Sequence, residues 1–389
     1  MAKMRWTTKT GTSALIRVRI ALIFVLVAAL AACRPPSLDL DSRAQLVGVS
    51  DGWLAMGTFF DADLRVPPDR AEEARAWLDE RREQLSRLEA IYSRHDEASE
   101  LSRVNRVLAE PAVLRDGAHI SPELESILYT ALEVWEGSAG AFDPTIGPLI
   151  DVWTRAAESS AFPPLDELRR VRRRVGAHSL LLPGDGELGV TVEDVRLDLD
   201  GLSKGVALDA LAADLRETFP GASALLSFGE SSVFAIGDPD GRLRGGGWRL
   251  EVRSRDERGT RLSTIRLRDL ALSVSSSVGK TSRIGDYRIS HVIDPRTGVA
   301  VDGTVEAVVV SQRAGIADGW STALLVLGAQ REALRLLERA ELEAYVFESA
   351  GRIAATEGWE ALEVEAAPSV EASGSDRAGP GIVPVDGTD

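Results

Sequence analysis

The order of apolar and polar residues predicts a mixture of strands and helices. Residues 53–66 combine bulky apolar and aromatic side chains, which is typical of a strand. Residues 69–92 place apolar side chains at helical spacing among many charges, which predicts an amphipathic helix. The apolar stripe of that helix consists of Ala74, Leu78, Leu85, Leu88 and Ile91.

Further helices are predicted along the rest of the chain. Ser121 followed by Pro122 is a typical helix start, with serine as N-cap and proline in the first helical position. Ser99 before Glu100 has the same character, with an acidic residue in the first turn. The predicted helices are 121–136, 166–175, 206–219, a helix following residue 317, and 330–340.

Short strand-like runs dominate residues 223–310. Their sequences are ALLSF, SVFAIG, WRLEVRS, TIRLRDLALSVS, YRISHVI and VEAVVVS. The turns between them are rich in Gly, Asp and Arg, which favours a mainly antiparallel sheet. Because strand and helix blocks are mixed without strict alternation, the predicted fold class is α+β.

The N-terminal residues indicate a secretion signal rather than part of the fold. Residues 1–32 contain basic but no acidic residues, and the apolar run at 20–32 is short for a transmembrane helix. The sequence LAA directly precedes Cys33, the only cysteine, as in a bacterial lipobox. Residues 1–32 are therefore predicted to be a cleaved signal peptide, with acyl chains on Cys33 anchoring the protein. An uncleaved anchor with an incidental cysteine is the alternative.

These features set the predicted domain organisation. Residues 33–50 are a lipidated linker, and residues 51–362 form the folded body. Residues 363–389 are rich in Gly, Pro, Ser and Asp and are predicted to be a disordered tail. The body is expected to be membrane-anchored and to face the periplasm or the cell exterior.

Composition narrows the class of protein. The 389 residues include 44% hydrophobic and 27% charged side chains, which is an ordinary globular balance. A single cysteine excludes an intrachain disulfide. The net charge of −15 argues against a broad nucleic-acid interface, so no nucleic-acid partner is predicted.

A possible anion site lies where an acidic, apolar strand breaks at glycine. Residues 198–205 (DLDGLSKG) lead into a helix, and a helix N-terminus favours anions. Gly201 allows close backbone approach, and Lys204 could supply a positive charge to a phosphate. The spacing is not that of a Walker A motif. An N-cap turn with a surface lysine explains the residues equally well.

Asp318 and Thr322 form a second candidate. Their spacing of four places a carboxylate and a hydroxyl on one helical face. Hard cations such as Mg²⁺ take oxygen ligands of this kind. The spacing alone favours a structural interpretation, in which Asp318 is the N-cap and Thr322 hydrogen-bonds back along the helix.

His291 and Phe142 mark two more candidates. His291 precedes the turn sequence DPRTG in a chain with four histidines, and histidine can act as an acid or base. Considered alone, a half-buried strand histidine is the better interpretation. Phe142 and Asp143 lie in a Pro/Gly-rich turn that could hold a planar ring or could simply be a loop.

Taken in order, these segments are specific, and the chain resembles the ApbE-type flavin transferases, the FAD:protein FMN transferases once called thiamine biosynthesis lipoproteins. The resemblance covers about residues 50–360, and the lipobox also fits the family. The matching segments are MGT at 56–58, SELSRVN at 99–105, AFDPTIGPL at 141–149, DLDGLSKG at 198–205, SHVIDPRTG at 290–298 and ADGWST at 317–322.

The resemblance implies an ApbE-like fold of two packed subdomains of mainly antiparallel sheet with helices. It also implies Mg²⁺-dependent transfer of FMN from FAD, the substrate, to a Ser or Thr hydroxyl of an extracytoplasmic redox protein, with release of AMP. The implied metal ligands are the Gly201 carbonyl, Asp318 and Thr322. The implied flavin and FAD contacts are Met56, Ala141, Phe142, Asp143, Asp198 and Lys204.

By the same resemblance, His291 would lie near the reacting phosphate and contact FAD. It is the candidate base for the acceptor hydroxyl, with Asp294 as a hypothetical orienting partner. Asp318 would be catalytic through the metal. FAD hydrolysis to FMN and AMP, and FAD binding without catalysis, are the competing functions.

Some residues depart from the family pattern. Gly229-Glu230 replaces a common Gly-Gly pair, and a glutamate near the diphosphate would repel it unless it is turned away. Residues 274–280 only approximate the usual Ser-Gly turn. His95 occupies a position where the family often has tyrosine.

Overall fold

The structure is a computed structural model that describes residues 46–240, 246–254, 261–278, 281–349, 351–366 and 381–384. The predicted signal peptide, Cys33 and most of the predicted linker and tail lie outside these ranges. Within them, no helix is both long enough and apolar enough to span a membrane.

The α-helices of the described residues are α1 (Ala71–Tyr92), α2 (Glu100–Leu108), α3 (Val113–Asp116), α4 (Pro122–Gly137), α5 (Gly147–Ser159), α6 (Leu165–Arg172), α7 (Ser203–Thr218), α8 (Ala314–Leu327), α9 (Arg331–Arg339) and α10 (Trp359–Leu362). Local sequence explains several starts. Ser99 and Ser121 each accept a hydrogen bond from the backbone N–H three residues on, which confirms both predicted N-caps.

The strands are β1 (Val47–Ala55), β2 (Thr58–Val66), β3 (Ala118–His119), β4 (Leu180–Leu181), β5 (Glu187–Val190), β6 (Ser223–Phe228), β7 (Ser232–Ile236), β8 (Trp248–Arg253), β9 (Arg261–Leu267), β10 (Leu270–Ser276), β11 (Thr281–Ile284), β12 (Tyr287–Ser290), β13 (Thr304–Ser311), β14 (Glu343–Glu348), β15 (Ile353–Ala355), β16 (Glu363–Ala366) and β17 (Gly381–Pro384).

A large antiparallel sheet forms the centre of the described fold. Its eight strands follow the order β1-β2-β6-β7-β10-β13-β14-β15. Every neighbouring pair in it is antiparallel. The predicted α+β class and the predicted antiparallel pairing of the segment 223–310 are therefore confirmed.

The large sheet has an apolar core on each face. One face packs against helices, and the side chains of that core include Phe60, Leu78, Leu128, Leu208, Ala271 and Leu324. The other face packs against the four-stranded sheet β16-β9-β8-β17. This double burial explains why β6, β7 and β13 are largely apolar on both faces. A smaller cluster joins α5 and α6 to Ile293.

The segment predicted as one strand at 53–66 is a hairpin, and this corrects the prediction. β1 already begins at Val47, inside the predicted linker, and pairs with β2 through Ala55 and Thr58. Met56 and Gly57 form the two-residue turn with φ values of +49° and +72°. Such a turn fits the twist of a hairpin but usually takes Asn or Gly, so Met56 gave no turn signal.

The predicted disordered tail contains two strands within its described residues. β16 pairs with β9, and β17 pairs with β8, so these segments flank the small sheet on both edges. The edge strands of a sheet have unpaired backbone N–H and C=O groups. A further segment can pair with these groups through its own backbone, so its sequence need not show the apolar pattern by which strands are predicted. The prediction of disorder is wrong for these eight described residues.

Candidate active site

Close contact between α7 and α8 creates the centre of the candidate site. A Cβ atom at Gly205 would lie 2.2 Å from the Ala314 carbonyl oxygen and 2.8 Å from the Asp318 Cβ, so only glycine fits there. The Gly205 N–H donates to Asp318 Oδ2 at 3.0 Å. The glycine of the DLDGLSKG segment therefore brings the start of α7 against the carboxylate of Asp318.

Asp318 is buried in the second turn of α8 rather than at its start. The predicted N-cap role is wrong, because Asp209 of α7 accepts hydrogen bonds from the N–H groups of Ala314 and Gly315 at 2.7 and 2.8 Å. Burial raises the pKa of Asp209, and these two hydrogen bonds oppose the shift. Because Asp209 caps this helix, the Asp318 carboxylate does not, and it accepts a hydrogen bond from the Gly205 N–H instead.

Thr322 and Gly201 lie beside Asp318. The Thr322 hydroxyl is 3.4 Å from the Asp318 carbonyl oxygen, which agrees with the predicted bond back along the helix. A Cβ at Gly201 would lie 3.0 Å from Thr322 Oγ1 and 3.5 Å from the Phe142 ring. The structure thus brings together Gly201, Asp318, Thr322 and Phe142. These residues belong to three different motifs, and residues of different motifs are 59 to 180 positions apart in the sequence.

This donor set fits a hard divalent cation. Asp318 offers a buried carboxylate and Thr322 a hydroxyl, both oxygen donors of the kind that Mg²⁺ takes together with water and substrate phosphate, and the Gly201 backbone lies beside them. Among the described residues, no group of three or more His, Cys, Asp or Glu side chains is arranged to hold a metal. A cation here would depend on Asp318 as its charged protein ligand.

Asp198 lies three residues before Gly201, and its carboxylate is buried. Arg94 Nη1 lies 3.1 Å from Asp198 Oδ2, and His95 Nε2 lies 3.0 Å from Asp200 Oδ2. Burial raises the pKa of Asp198 to about 6, Asp200 adds to the shift, and Arg94 opposes it. Sequence reasoning noted His95 only as a departure and missed Arg94, since nothing local links either residue to the segment 198–205.

Replacing Asp198 with asparagine is expected to stabilise the protein at pH 8 but not near pH 4. The folded pKa exceeds the ordinary value of 3.8. The protonated carboxyl therefore favours folding below about pH 4, and this contribution is lost as the pH rises through about 6. Removing the charge should increase the free energy of unfolding at pH 8 by about 1–3 kcal/mol. Urea unfolding at both pH values tests this.

Destabilisation of Asp198→Asn at pH 8 that exceeds any effect at pH 4 would contradict the prediction. That result would mean that the ion pair with Arg94 outweighs the burial of the charge. Arg94→Gln is the complementary variant, and it should destabilise the protein more at pH 8 than at pH 4, because it leaves Asp198 buried without its cation.

Asn105 explains why the SELSRVN segment matters to the site. Its side-chain amide donates to the Leu197 carbonyl oxygen at 2.9 Å and accepts from the Leu197 N–H at 2.7 Å. Both backbone groups of the residue before Asp198 are thereby held by one side chain. Asn105 is a positioning residue that sequence reasoning did not single out.

The loop with Phe142 and Asp143 is fixed from within. Asp143 Oδ1 accepts from the Thr145 N–H and hydroxyl, and Oδ2 accepts from the Ala177 N–H. Burial raises the pKa of Asp143, and these hydrogen bonds oppose the shift. The predicted flavin contact Asp143 therefore holds the loop, while Ala141 is buried and the Phe142 ring is directed at Gly201.

The turns at Met56 and Gly229 lie next to each other at one end of the large sheet. The Met56 N–H donates to Glu89 Oε2 at 2.9 Å, and the Gly229 N–H donates to the Phe59 carbonyl at 2.6 Å. Ser232, which follows the Gly229-Glu230 turn, places its hydroxyl 3.4 Å from Asp318 Oδ1. Met56 is therefore connected to the Asp318 region through neighbouring strands, and Glu230 is half-buried at the same end.

His291 follows β12 directly and is exposed. Its turn is held to α5, since Trp153 Nε1 donates to the Gly298 carbonyl at 2.9 Å. Both Asp294 oxygens accept hydrogen bonds from the Arg296 guanidinium at 2.9 and 3.0 Å. Asp294 thus pairs with Arg296, and the hypothesis that it orients His291 finds no support in its hydrogen bonds.

Two further predicted features have defined positions. Lys204 is half-buried in the first turn of α7, one residue before the glycine that contacts Asp318. Ser277, in the altered segment 274–280, donates to the Thr304 carbonyl at 2.5 Å; residues 279–280 lie outside the described ranges. A cleft of about 740 Å³ between α1, α4 and α7 contains none of the predicted site residues, so volume alone does not locate this site.

The fold and the site define a class of protein: an α+β protein in which oxygen donors suited to a cation meet at a helix start. The sequence profile of the ApbE family matches residues 56–346, and the chain belongs to this family.

Related proteins agree with this assignment. The chain is 29% identical to an FAD:protein FMN transferase of Rhodobacter capsulatus over 72% of its own length, but it spans only 52% of that relative. It is 28% identical to an FAD:protein FMN transferase of Treponema pallidum, covering 81% of this chain and 89% of the relative. The solved flavin transferase ApbE of Vibrio cholerae has the same fold, with a TM-score of 0.67 and 22% identity over 82% of this chain and 99% of that structure.

Proposed function

We propose that this protein is an FAD:protein FMN transferase that uses Mg²⁺ and attaches FMN to a Ser or Thr hydroxyl of a redox protein. The observation that carries the proposal is the convergence of Gly201, Asp318 and Thr322 at the start of α7, in a chain of the ApbE family. The names of the related proteins support the same reaction.

The reaction exchanges the phosphoanhydride bond of FAD for a phosphate ester to the acceptor. The acceptor hydroxyl oxygen forms a bond to the phosphorus of the FMN half of FAD, the bond to the bridging oxygen breaks, and AMP leaves with that oxygen. Gly201, Asp318 and Thr322 would hold a Mg²⁺ ion, which would supply positive charge to neutralise the pyrophosphate and the leaving phosphate. Transfer of this kind depends mainly on positioning and electrostatics.

Seven of the predicted residues are assigned roles in this reaction. Gly201, Asp318 and Thr322 would hold the metal, and Lys204 places a positive charge on the pyrophosphate. Phe142 and Met56 line the flavin. His291 takes the proton of the attacking hydroxyl, since histidine changes charge between pH 5 and 8.

The protein is further proposed to act on the outer side of the cytoplasmic membrane. The lipobox at Cys33 supports a lipid anchor facing the periplasm or cell exterior, with the acceptor domain exposed on the same side. Palmitate labelling of the wild-type chain, absent from Cys33→Ser, tests this part separately.

The decisive experiment incubates the full chain, in detergent, with FAD, Mg²⁺ and a candidate acceptor domain. Release of AMP together with flavin fluorescence that stays on the denatured acceptor supports the transferase. AMP without protein-bound flavin, across several acceptors, indicates FAD hydrolysis. Tight FAD binding without AMP indicates a binding protein and makes Glu230→Gly the next variant to test, because a glutamate at that turn opposes a diphosphate.

A further inference from the structure

Two serines of β10 face the helix that carries the predicted metal ligands. In this strand Leu272 and Val274 belong to the core shared with the small sheet, whereas Ala271 belongs to the core on the helical side. Alternate residues of a strand share a face, so Ser273 and Ser275 also face the helices. A strand face that could be entirely apolar thus places two hydroxyls against α8.

Ser273 contacts the carboxylate of Asp318. It is fully buried, and its hydroxyl donates to Asp318 Oδ1 at 3.0 Å. The Gly205 N–H binds the other oxygen of the same carboxylate, Oδ2, at 3.0 Å. The Ser232 hydroxyl lies farther from Oδ1, at 3.4 Å. Donors on both oxygens fix the rotation of the carboxylate and leave its remaining lone pairs for a cation.

Ser275 contacts the hydroxyls that follow in α8. Its Oγ lies 2.7 Å from Ser321 Oγ and 3.4 Å from Thr322 Oγ1. Ser321 donates to the Asp318 carbonyl at 2.9 Å. When Thr322 donates its proton to Ser275, Ser275 can donate to Ser321, and the lone pairs of Thr322 Oγ1 remain available to a metal.

The strand and helix spacings match. Residues two apart on a strand are about 6.6–6.8 Å apart. Residues four apart on a helix are about 6 Å apart along its axis. Ser273 therefore meets Asp318 while Ser275 meets Thr322. Resting on the proposed function, we infer that Ser273 and Ser275 are positioning residues that orient the two predicted metal ligands.

The chemistry of burial supports this assignment over a purely structural one. A buried hydroxyl must regain the hydrogen bonds that it gave to water, so serine gains little over alanine in packing. Here the partners of both hydroxyls include the side chains of the predicted ligands and of their immediate neighbour, Ser321. Ser273 also lies 3.2 Å from the Ser231 carbonyl oxygen and from Ser232 Oγ, and its shortest contact is the one to Asp318. Partners around a metal site commonly affect metal affinity by about 10–100-fold.

Mn²⁺ binding to the full-length protein tests the inference directly. The loss of the free-Mn²⁺ electron paramagnetic resonance signal is measured with FAD present and acceptor absent, corrected for Mn²⁺ bound by FAD alone. Ser273→Ala should weaken Mn²⁺ binding by about tenfold or more. Ser275→Ala should weaken it less, since Thr322 is a neutral ligand, and Ser275→Thr should restore affinity because it keeps the hydroxyl.

Ser263→Ala is the matched control. Ser263 is also fully buried on a strand and donates to a carboxylate, Glu363 Oε1, at 2.6 Å, but it lies in the small sheet. Its loss should leave Mn²⁺ affinity unchanged. In EDTA, the thermal unfolding temperature should fall no more for Ser273→Ala than for Ser263→Ala.

Several outcomes would overturn the inference. If wild type binds Mn²⁺ and Ser273→Ala binds it equally well, the serines do not position the ligands. If Ser263→Ala weakens binding as much as Ser273→Ala, the effect is general destabilisation. If wild type binds no Mn²⁺, the inference fails with the metal site, and parallel assays of FMN transfer show whether the proposed function fails with it.

Discussion

Replacing Asp318 with alanine is expected to lower the rate of FMN transfer by about a thousandfold or more. Asp318 is the charged member of the proposed ligand set, and its carboxylate is buried and already oriented by Gly205 and Ser273. Without it, a cation at this site would rest on neutral oxygens, and the pyrophosphate charge would be poorly neutralised. AMP release at fixed FAD and increasing Mg²⁺ measures the effect.

Two variants separate chemistry from stability. Asp318→Asn keeps the shape and an acceptor for the Gly205 N–H, so it should fold like wild type yet lose most of the activity. Asp209→Asn also removes a carboxylate that binds backbone N–H groups, at the start of the same helix. It should lower the free energy of unfolding by about 1 kcal/mol with little effect on Mg²⁺ dependence. Wild-type transfer by Asp318→Asn would exclude a metal role for this residue.

Elements specified by neighbouring residues could be predicted from the sequence. The caps at Ser99 and Ser121 depend on a side chain and a backbone N–H three residues away, and both were correct. The helical stripe at 69–92 corresponds to α1, because a face buried along a whole helix imposes its period on the sequence.

The position of Asp318 could not be derived from its own neighbours. Its spacing to Thr322 favoured an N-cap, and that interpretation failed because Asp209, 105 residues before Ala314, caps α8 instead. Whether a polar residue caps a helix or faces a site depends on which other helix packs at that end. Only the resemblance to a family, which records such long-range choices, pointed to Asp318 as a ligand of the proposed metal site.

Long-range hydrogen bonds account for the residues that were missed. Asn105 holds the backbone of Leu197 from 92 positions away, and Arg94 reaches Asp198 across a similar interval. The serines of β10 gave one unused signal, since L-S-V-S alternation predicts a strand with one polar face. It did not indicate that this face would be buried against α8.

Replacing His291 with alanine is expected to lower FMN transfer by about 10²–10⁴-fold while FAD binding is retained. In the proposed reaction His291 removes the proton of the acceptor hydroxyl, so its loss should affect the transfer step more than the formation of the FAD complex. The wild-type rate should fall at low pH as the base becomes protonated, and this acid limb should flatten in the variant. Single-turnover transfer rates from pH 5 to 9, with FAD binding measured separately, test both effects.

His119→Ala is the control for the loss of a histidine. His119 is exposed, lies 3.3 Å from Glu187 and belongs to none of the matched motifs, so its variant should keep the wild-type rate. Because Asp198 also titrates, with a pKa of about 6, the transfer rate of Asp198→Asn must be measured over the same pH range as that of His291→Ala. If the acid limb disappears in Asp198→Asn and persists in His291→Ala, the titrating group is Asp198. Histidine would then contribute by binding the phosphate rather than by accepting the proton, and His291→Lys should restore activity.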